Sequence, residues 1–181
     1  TQPLVVLKDP YSSPPTTDVL ASTRAQLRVR DAMNETVDMI NHLELLRRQV
    51  EDKLRDSTRN KALDPQLRDI EVKMLAVEMR LLSPSDLHSD DKWYVEQYRT
   101  YLNLIWLGGE IGSGAGDVAG GVDFRPTEAS LATLTQLERE VADARLAYTR
   151  LMERDIVAFN NAVGGAITLS GSPKGGARAT P

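Results

Sequence analysis

The sequence predicts an all-α protein: an antiparallel helical bundle of two long and two short helices, with an orphan strand before it and a disordered tail after it. Apolar residues recur at alternating spacings of three and four over most of the chain, which is typical of coiled-coil packing. Aromatic residues are only 5% of the chain against 41% hydrophobic residues, so we expect an aliphatic core between helices. No proline or glycine interrupts the longest periodic stretch.

The composition excludes several classes of function. The chain has 22 basic and 26 acidic residues, a net charge of -4 and no run of Lys or Arg, so it lacks an electrostatic footprint for nucleic acid or for an anionic membrane. The absence of cysteine excludes disulfides, thiolate zinc sites and a cysteine nucleophile. Apolar runs are far shorter than the roughly 20 residues of a membrane span. No signal peptide opens the chain, so we expect a mature product or an excised fragment.

Residues 1–10, TQPLVVLKDP, have the composition of a β-strand. Four apolar residues, Leu4 to Leu7, stand between Pro3 and Pro10. A lone strand cannot satisfy its main-chain hydrogen bonds, and no second strand follows. We therefore expect partner strands in a preceding β-domain. The alternative is a coil that packs on the bundle.

The first long helix is expected to start at a cap on Thr16 or Thr17 and to reach about Ser57. About 40 residues give a helix of about 60 Å. Its apolar seam contains two polar positions and consists of Val29, Met33, Thr36, Ile40, Leu43, Arg47, Val50 and Leu54.

Two shorter helices are expected next. Asp64 is the expected N-cap of the second helix, and Pro84 ends it. Its buried residues are predicted to be Leu67, Ile70, Met74, Val77 and Leu81. Ser89 or Asp90 is expected to cap the third helix, whose predicted buried face is Val95, Tyr98, Leu102, Ile105 and Gly109.

The second long helix is expected to begin after its cap, Thr127, and to end at Gly164-Gly165. Its predicted seam is Leu134, Leu137, Val141, Ala144, Tyr148 and Leu151, continued by Ile156, Phe159 and Val163. We expect it to run antiparallel to the first, with the short helices as a hairpin along part of their length. Uncovered seam residues would then face another chain or a neighbouring domain. The predicted division is 1–16 as the end of a β-domain with its linker, 17–164 as the bundle and 165–181 as the disordered tail.

Several short motifs occur in an order that resembles one protein family. They are TQPLVVLKDP at the start, then Arg30-Asp31 and Asn41, then Arg125-Pro126-Thr127, then Asp155, Ala158 and Asn160 or Asn161. The order resembles the C-terminal helical region of large bacterial proteins named glycosyl hydrolases with Asp-box (BNR) repeats, which carry a sialidase-like or sortilin-like β-propeller. The resemblance covers about residues 1–163 and departs at Tyr11, where the family usually has Arg, and in the glycine insert before Phe124.

In that family the propeller is followed by a small immunoglobulin-like sandwich whose last strand leads into a long helix. The resemblance therefore implies that the orphan strand belongs to this sandwich. It implies a secreted or periplasmic parent protein in a bacterium. It carries no catalytic residue to this chain, because the active site of the family would lie in the propeller.

The aromatic residues of the third helix are the main candidate ligand or interface residues: Trp93, Tyr94, Tyr98, Tyr101 and Trp106. A row of aromatic rings over 93–106 could stack on sugars, as in a carbohydrate-binding accessory module. At helical spacing, however, aromatic residues are more often part of a core or a protein interface. Both interpretations remain open at this stage.

Other patterns carry weaker chemistry. The stretch Gly114–Ala119 fits the dinucleotide-binding spacing, but a helix precedes it where a strand is needed, which favours a plain loop. His42 and His88 lack the Glu-x-x-His pattern of di-iron bundles, and His42 is placed to pair with Asp38.

The acidic residues and serines give no catalytic pattern. Glu138, Glu140 and Glu153 are expected to be surface charges rather than a glycosidase pair. Asp155 lies near the seam, with Arg47 as a candidate partner. The serines, Ser22 and Ser130 among them, lack a nucleophile elbow. We assign no catalytic, cofactor-binding or metal-ligating residue. The sequence predicts a structural or interaction module that docks on its parent's β-domains or forms a homodimer.

Overall fold

The computed structural model describes residues 3–5, 7–83, 98–113, 124–164 and 168–171. The helices are α1 (Thr16–Arg55), α2 (Asp64–Leu81), α3 (Thr100–Ser113), α4 (Glu128–Arg150) and α5 (Val157–Ala162), with a 3-10 turn at Lys61–Leu63 and a π-helical turn at Leu151–Ile156. No strand is present in these ranges, so the all-α class is confirmed. Helix α1 begins at Thr16 after Pro15, and no side chain caps it, so the predicted threonine cap is wrong.

Helices α2 and α3 lie one after the other along α1. The chain turns back after Arg55, and Arg47 of α1 donates to Glu78 of α2. Nearer the start of α1, a Cβ on Gly108 of α3 would lie 3.3 Å from Val29. The Thr100 hydroxyl at the start of α3 is 3.5 Å from the Arg80 carbonyl near the end of α2. The two short helices therefore continue each other, and the predicted helical hairpin is wrong.

Helix α4 runs parallel to α1, which corrects the antiparallel arrangement that we expected. Arg28 of α1 pairs with Glu138 of α4, and one heptad later Glu35 pairs with Arg145. Both pairs join residues that are 110 positions apart, and a constant offset means that the two helices advance in the same direction. The reason is topological: α2 and α3 both return along α1, so the chain starts α4 beside the beginning of α1.

The core has two parts, which we call the upper and the lower cluster. The upper cluster joins α1 as far as Ile40 to the end of α2, to α3 and to α4. Its members are Ala25, Val29, Ala32, Met39, Ile40, Leu81, Leu82, Leu104, Leu107, Ile111, Leu134, Leu137, Val141 and Ala144. The lower cluster joins the second half of α1 to α2, the π turn and α5 through Leu43, Leu46, Val50, Leu67, Ile70, Met74, Val77, Leu151, Ile156, Phe159, Val163 and Leu169. All five residues predicted for the α2 seam are buried.

The predicted buried face of α3 is wrong by two positions. Leu104, Leu107 and Ile111 are buried, whereas Ile105 is 43% exposed. The stretch from Leu102 to Leu107 is apolar at all but one position, so spacing alone cannot select the face. The observed face brings Gly108 against Val29, where a Cβ would lie 3.3 Å from the valine side chain, so this tight contact with α1 favours a small residue. Val95 lies outside the described residues.

The helix ends match the sequence expectations in part. Thr127 caps α4 by accepting a 3.0 Å hydrogen bond from the Ser130 main chain, as predicted. Gly164, with a φ of 60°, follows the end of α5, also as predicted. Asp64 is not a cap: its carboxylate accepts two 2.8 Å hydrogen bonds from Arg59, and Asn60 instead caps the 3-10 turn. The predicted stop at Pro84 and the caps at Ser89 or Asp90 lie outside the described residues.

The π turn resolves a break in the seam of the last helix. Seam positions there, with the half-buried Tyr148 among them, follow at three or four residues until Leu151, but the next buried residue, Ile156, comes five residues later. In a continuous α-helix this step would rotate Ile156, Phe159 and Val163 away from the core. The π turn absorbs one extra residue and keeps all three buried.

The two ends of the chain differ from each other. Residues 168–171 fall in the segment that we expected to be disordered, yet Leu169 is only 3% exposed. The correction has a physical cause, because Asn160 binds the Leu169 main chain. At the other end, Leu4, Val5 and Leu7 are 87%, 77% and 82% exposed. The described part of this segment is neither a strand nor a coil packed on the helices.

We predict that deleting one exposed residue is tolerated inside the π turn and nowhere else in this helix. Removing Glu153 converts the five-residue step into a four-residue step that a plain α-helix accommodates, so the free energy of unfolding should change by about 1 kcal/mol or less. Removing Arg139, which is also exposed, turns part of the seam away from the core and should cost more than about 4 kcal/mol. Urea unfolding followed by circular dichroism measures both. Equal losses would contradict this account of the π turn.

Candidate functional site

The predicted aromatic residues do not form one face in the part of the chain that the structure describes. Tyr98 and Tyr101 are half-buried, and Tyr101 packs against the upper cluster. Trp106 is 64% exposed on the surface of α3. Trp93 and Tyr94 lie outside the described residues. Of the described members, only Tyr98 lines a cleft with polar neighbours.

This cleft, which we call the polar cleft, lies where α2 ends, α3 begins and α4 passes by. It has a volume of about 410 Å³. Its walls combine one aromatic ring with charged and amide side chains on three helices: Arg80, Tyr98, Arg99, Thr100, Asn103, Gln136, Glu140, Asp143 and Ala144. Tertiary packing assembles the cleft, because these residues are far apart in the sequence.

Hydrogen bonds fix the orientation of Glu140 at the centre of the polar cleft. The Thr100 hydroxyl donates to one of its carboxylate oxygens at 2.9 Å, and the Gln136 amide donates to the other at 3.1 Å. The Asn103 amide donates to the Tyr98 carbonyl at 3.1 Å. The polar cleft thus combines the Tyr98 ring with guanidinium, amide and carboxylate groups. Such a lining could bind a small polar ligand through hydrogen bonds.

A second cleft, between α1 and α3, has a different character. It has a volume of about 340 Å³, and its lining is mainly apolar apart from Gln26 and Arg30. Val29, Met33, Leu104, Ile105 and Gly108 form the remainder. It lacks the convergent hydrogen-bonding groups of the polar cleft.

The ionisable residues singled out from the sequence have other partners than expected. Asp155 pairs with Lys73 of α2 at 3.0 Å, whereas Arg47 pairs with Glu78 at 2.7 Å, so the proposed Arg47–Asp155 pair is wrong. The side chain of Glu78 is 7% exposed, and its pairing with Arg47 compensates for this burial. Of the acidic residues expected at the surface, Glu138 pairs with Arg28, Glu153 is exposed and Glu140 lies in the polar cleft.

His42 is a buried residue of the interface between α1 and α4. Its Nδ1 atom is hydrogen-bonded to the Tyr148 hydroxyl rather than to Asp38. Burial lowers the pKa of His42, and the main chain of Gly171 beside the ring partly offsets this effect. Burial, with a smaller contribution from Asp38, raises the pKa of Tyr148. Both shifts favour the neutral form of the pair.

The described ranges contain neither a candidate metal site nor a helix that could span a membrane. No group of three or more His, Asp or Glu side chains is placed to hold a metal ion there. No helix in those ranges has the length and apolar character that a membrane span requires. His88 and the stretch Gly114–Ala119 lie outside them.

We predict that the chain loses stability in mild acid because of His42. The pKa of His42 is lowered in the folded chain, so the unfolded chain binds the proton first as the pH falls. The contribution of His42 to the free energy of unfolding is complete above its ordinary pKa of about 6.5, and it declines as the pH falls toward the lowered pKa of the folded chain. Urea unfolding between pH 7 and pH 5 should show this decline, and His42→Gln should reduce it. Identical pH slopes for the two proteins would contradict the prediction.

Comparison with known protein families, with curated proteins and with solved structures finds no match for this chain. The resemblance to the BNR-repeat proteins therefore rests on the short motifs of the sequence.

Proposed function

We propose that this chain is a helical interaction module without catalysis of its own, which docks on a β-domain through its N-terminal arm. The arm comprises residues 1–11, of which 3–5 and 7–11 are described. The observation that carries the proposal is the exposure of its large side chains: Leu4, Val5 and Leu7 are at least 77% exposed, and Tyr11 is 94% exposed. Full burial of one such side chain contributes about 1.5–3 kcal/mol, so the arm has much to gain from a partner.

Local hydrogen bonds hold the base of the arm. The main-chain nitrogen of Tyr11 donates to the Asp9 carboxylate at 2.8 Å, and that of Ser12 donates to the Asp9 carbonyl at 3.1 Å. The Lys8 ammonium group donates to the carbonyl of Pro14, which is itself buried. This turn sets where the arm leaves the helices. An exposed apolar segment in such a position suits addition to the edge of a sheet, where main-chain hydrogen bonds supply affinity.

The resemblance to the BNR-repeat proteins supplies a partner. In this proposal the arm completes a preceding immunoglobulin-like sandwich, and the helices form an accessory domain of an exported bacterial protein with a β-propeller. Homodimer formation through the same arm is the alternative within this class. Either role falls to the arm, because the seam residues of the helices already pack on one another in the upper and lower clusters, whereas the apolar side chains of the arm are exposed.

We predict that the arm becomes ordered when the chain is produced with its β-domain. The coding sequence upstream of Thr1 identifies the longer protein. In it, amide hydrogens of Val5 and Leu7 should exchange at least tenfold more slowly than in the 181-residue chain, while exchange in α1 stays the same.

Two variants provide a matched comparison for this test. Leu7→Asp should restore fast exchange in the arm, whereas Leu146→Asp, at an exposed leucine of α4, should leave it slow. A coding sequence without a β-domain, or fast exchange in both proteins, would count against docking. Concentration-dependent sedimentation of the 181-residue chain that Leu7→Asp abolishes would favour the homodimer.

A second candidate function is carbohydrate binding in the polar cleft. The specific observation is that Tyr98 shares this cleft with Arg, Asn, Gln, Glu and Asp side chains, which are the planar hydrogen-bonding groups that suit sugar hydroxyls. Calorimetric titration with neutral oligosaccharides should then give saturable binding. Tyr98→Ala should weaken it at least tenfold, and Trp106→Ala should not change it. Absence of saturation in the millimolar range, or equal effects of the two variants, would exclude this function.

A further inference from the structure

The segment of residues 168–171 lies in a groove between α1 and α5, where two side-chain amides bind its main chain. Asn160 of α5 accepts from the Leu169 nitrogen at 2.9 Å and donates to the Leu169 carbonyl at 3.1 Å. Gln49 of α1 accepts from the Ser170 nitrogen at 3.3 Å and donates to the Ser170 carbonyl at 2.8 Å. Each amide therefore binds both main-chain groups of one residue.

The alternation of these contacts identifies the conformation that the groove selects. In an extended chain, consecutive residues direct their main-chain N–H and C=O groups to opposite edges. Leu169 is bound from the α5 side, and Ser170 is bound from the α1 side. The groove thus holds an extended segment along both edges and recognises the main chain, which any sequence carries.

The side chains along the segment define what the groove accepts. Leu169 is 3% exposed and belongs to the lower cluster, together with Phe159 and Val163. Ser170 is exposed, so this position accepts other residues. At Gly171 a Cβ would lie 2.8 Å from the Cδ2 atom of Leu45 and 3.5 Å from His42, so glycine is the residue that fits without a shift of the partly exposed Leu45 side chain.

We propose that the groove between α1 and α5 is a binding site for an extended peptide with the pattern Leu-x-Gly, and that residues 168–171 are its tethered occupant. A partner protein that presents the same pattern in an extended segment would compete for the groove. This site is separate from the N-terminal arm and from the polar cleft, so its test is independent of theirs.

The contacts also indicate that the occupant is exchangeable. Asn160 and Gln49 hold the main chain of Leu169 and Ser170, the main chain of Gly171 lies beside the His42 ring, and Leu169 is the one residue of the segment in the lower cluster. The other members of that cluster come from α1, α2, the π turn and the segment Val157 to Val163, and they pack on one another. A tethered occupant has an effective concentration in the millimolar range, so a competing peptide is best measured when the tether is disabled.

The test uses the full chain with Leu169→Asp, which disfavours docking of the tail because it would bury a carboxylate. The probe is the peptide Thr-Leu-Ser-Gly, acetylated and amidated, which copies residues 168–171. Nuclear magnetic resonance of the Asn160 and Gln49 side-chain amides should show binding that saturates in the millimolar range. A peptide with Asp in place of Leu should bind at least tenfold more weakly.

A matched pair of protein variants tests the role of the clamp. Added to the Leu169→Asp chain, Asn160→Ala should weaken peptide binding at least tenfold, whereas Asn161→Ala, at the exposed neighbouring amide, should not. Absence of binding to a chain that keeps its helical content, or equal effects of the two alanine variants, would overturn the proposal.

A measurement on the otherwise unchanged chain decides the matter if Leu169→Asp loses its helical content. Asn160→Ala should speed amide hydrogen exchange at Leu169 about twofold or more, and Gln49→Ala should do so at Ser170, because an effective concentration and a dissociation constant that are both millimolar leave the tail about half docked or more. Excess peptide should shift both tail amides toward their free positions in the spectrum. Fast exchange at both amides in the unchanged chain, or no displacement by the peptide, would overturn the proposal.

Discussion

The structure depends on one constraint: α1 carries an apolar stripe over most of its 40 residues, and the other helices must cover this stripe. Neither α2, with 18 residues, nor α3, with 14, is long enough to cover it alone. The two short helices therefore lie one after the other along α1 and divide the core into a lower and an upper cluster. Helix α4 and its continuation through the π turn cover a second side of α1 and contribute to both clusters.

This arrangement separates the candidate binding surfaces along the helical body. The N-terminal arm leaves near the start of α1, whereas the groove for residues 168–171 uses Gln49 in its second half. The polar cleft lies between them, at the junction of α2 and α3, because two helices that meet end to end leave a gap beside α4. The helical body thus fixes the positions of the arm, the cleft and the groove relative to one another.

The sequence predicted those parts of the fold that depend on isolated apolar positions. The seams of α2 and α4 are readable because polar residues separate most of their apolar positions, whereas the almost continuous apolar run in α3 leaves its face undetermined. Tyr98 was among the residues predicted for the site, but the other walls of the polar cleft come together through tertiary packing. The direction of α4 and the docking of Leu169 also depend on contacts between residues far apart in the sequence. The ion pairs between α1 and α4 join residues 110 positions apart, and Gln49 and Ser170 are 121 positions apart.

The parallel course of α1 and α4 is the central claim, because it follows from the end-to-end placement of α2 and α3 that divides the core, and spin-label distances test it most directly. The chain lacks cysteine, so labels can be placed at single introduced cysteines. Thr23→Cys with Thr133→Cys joins positions at the 110-residue offset of the observed ion pairs, and Thr23→Cys with Arg154→Cys joins the start of α1 to the π turn. The first distance should be shorter than the second by about 15 Å or more. A shorter distance from Thr23 to Arg154 would mean antiparallel helices and would contradict the account.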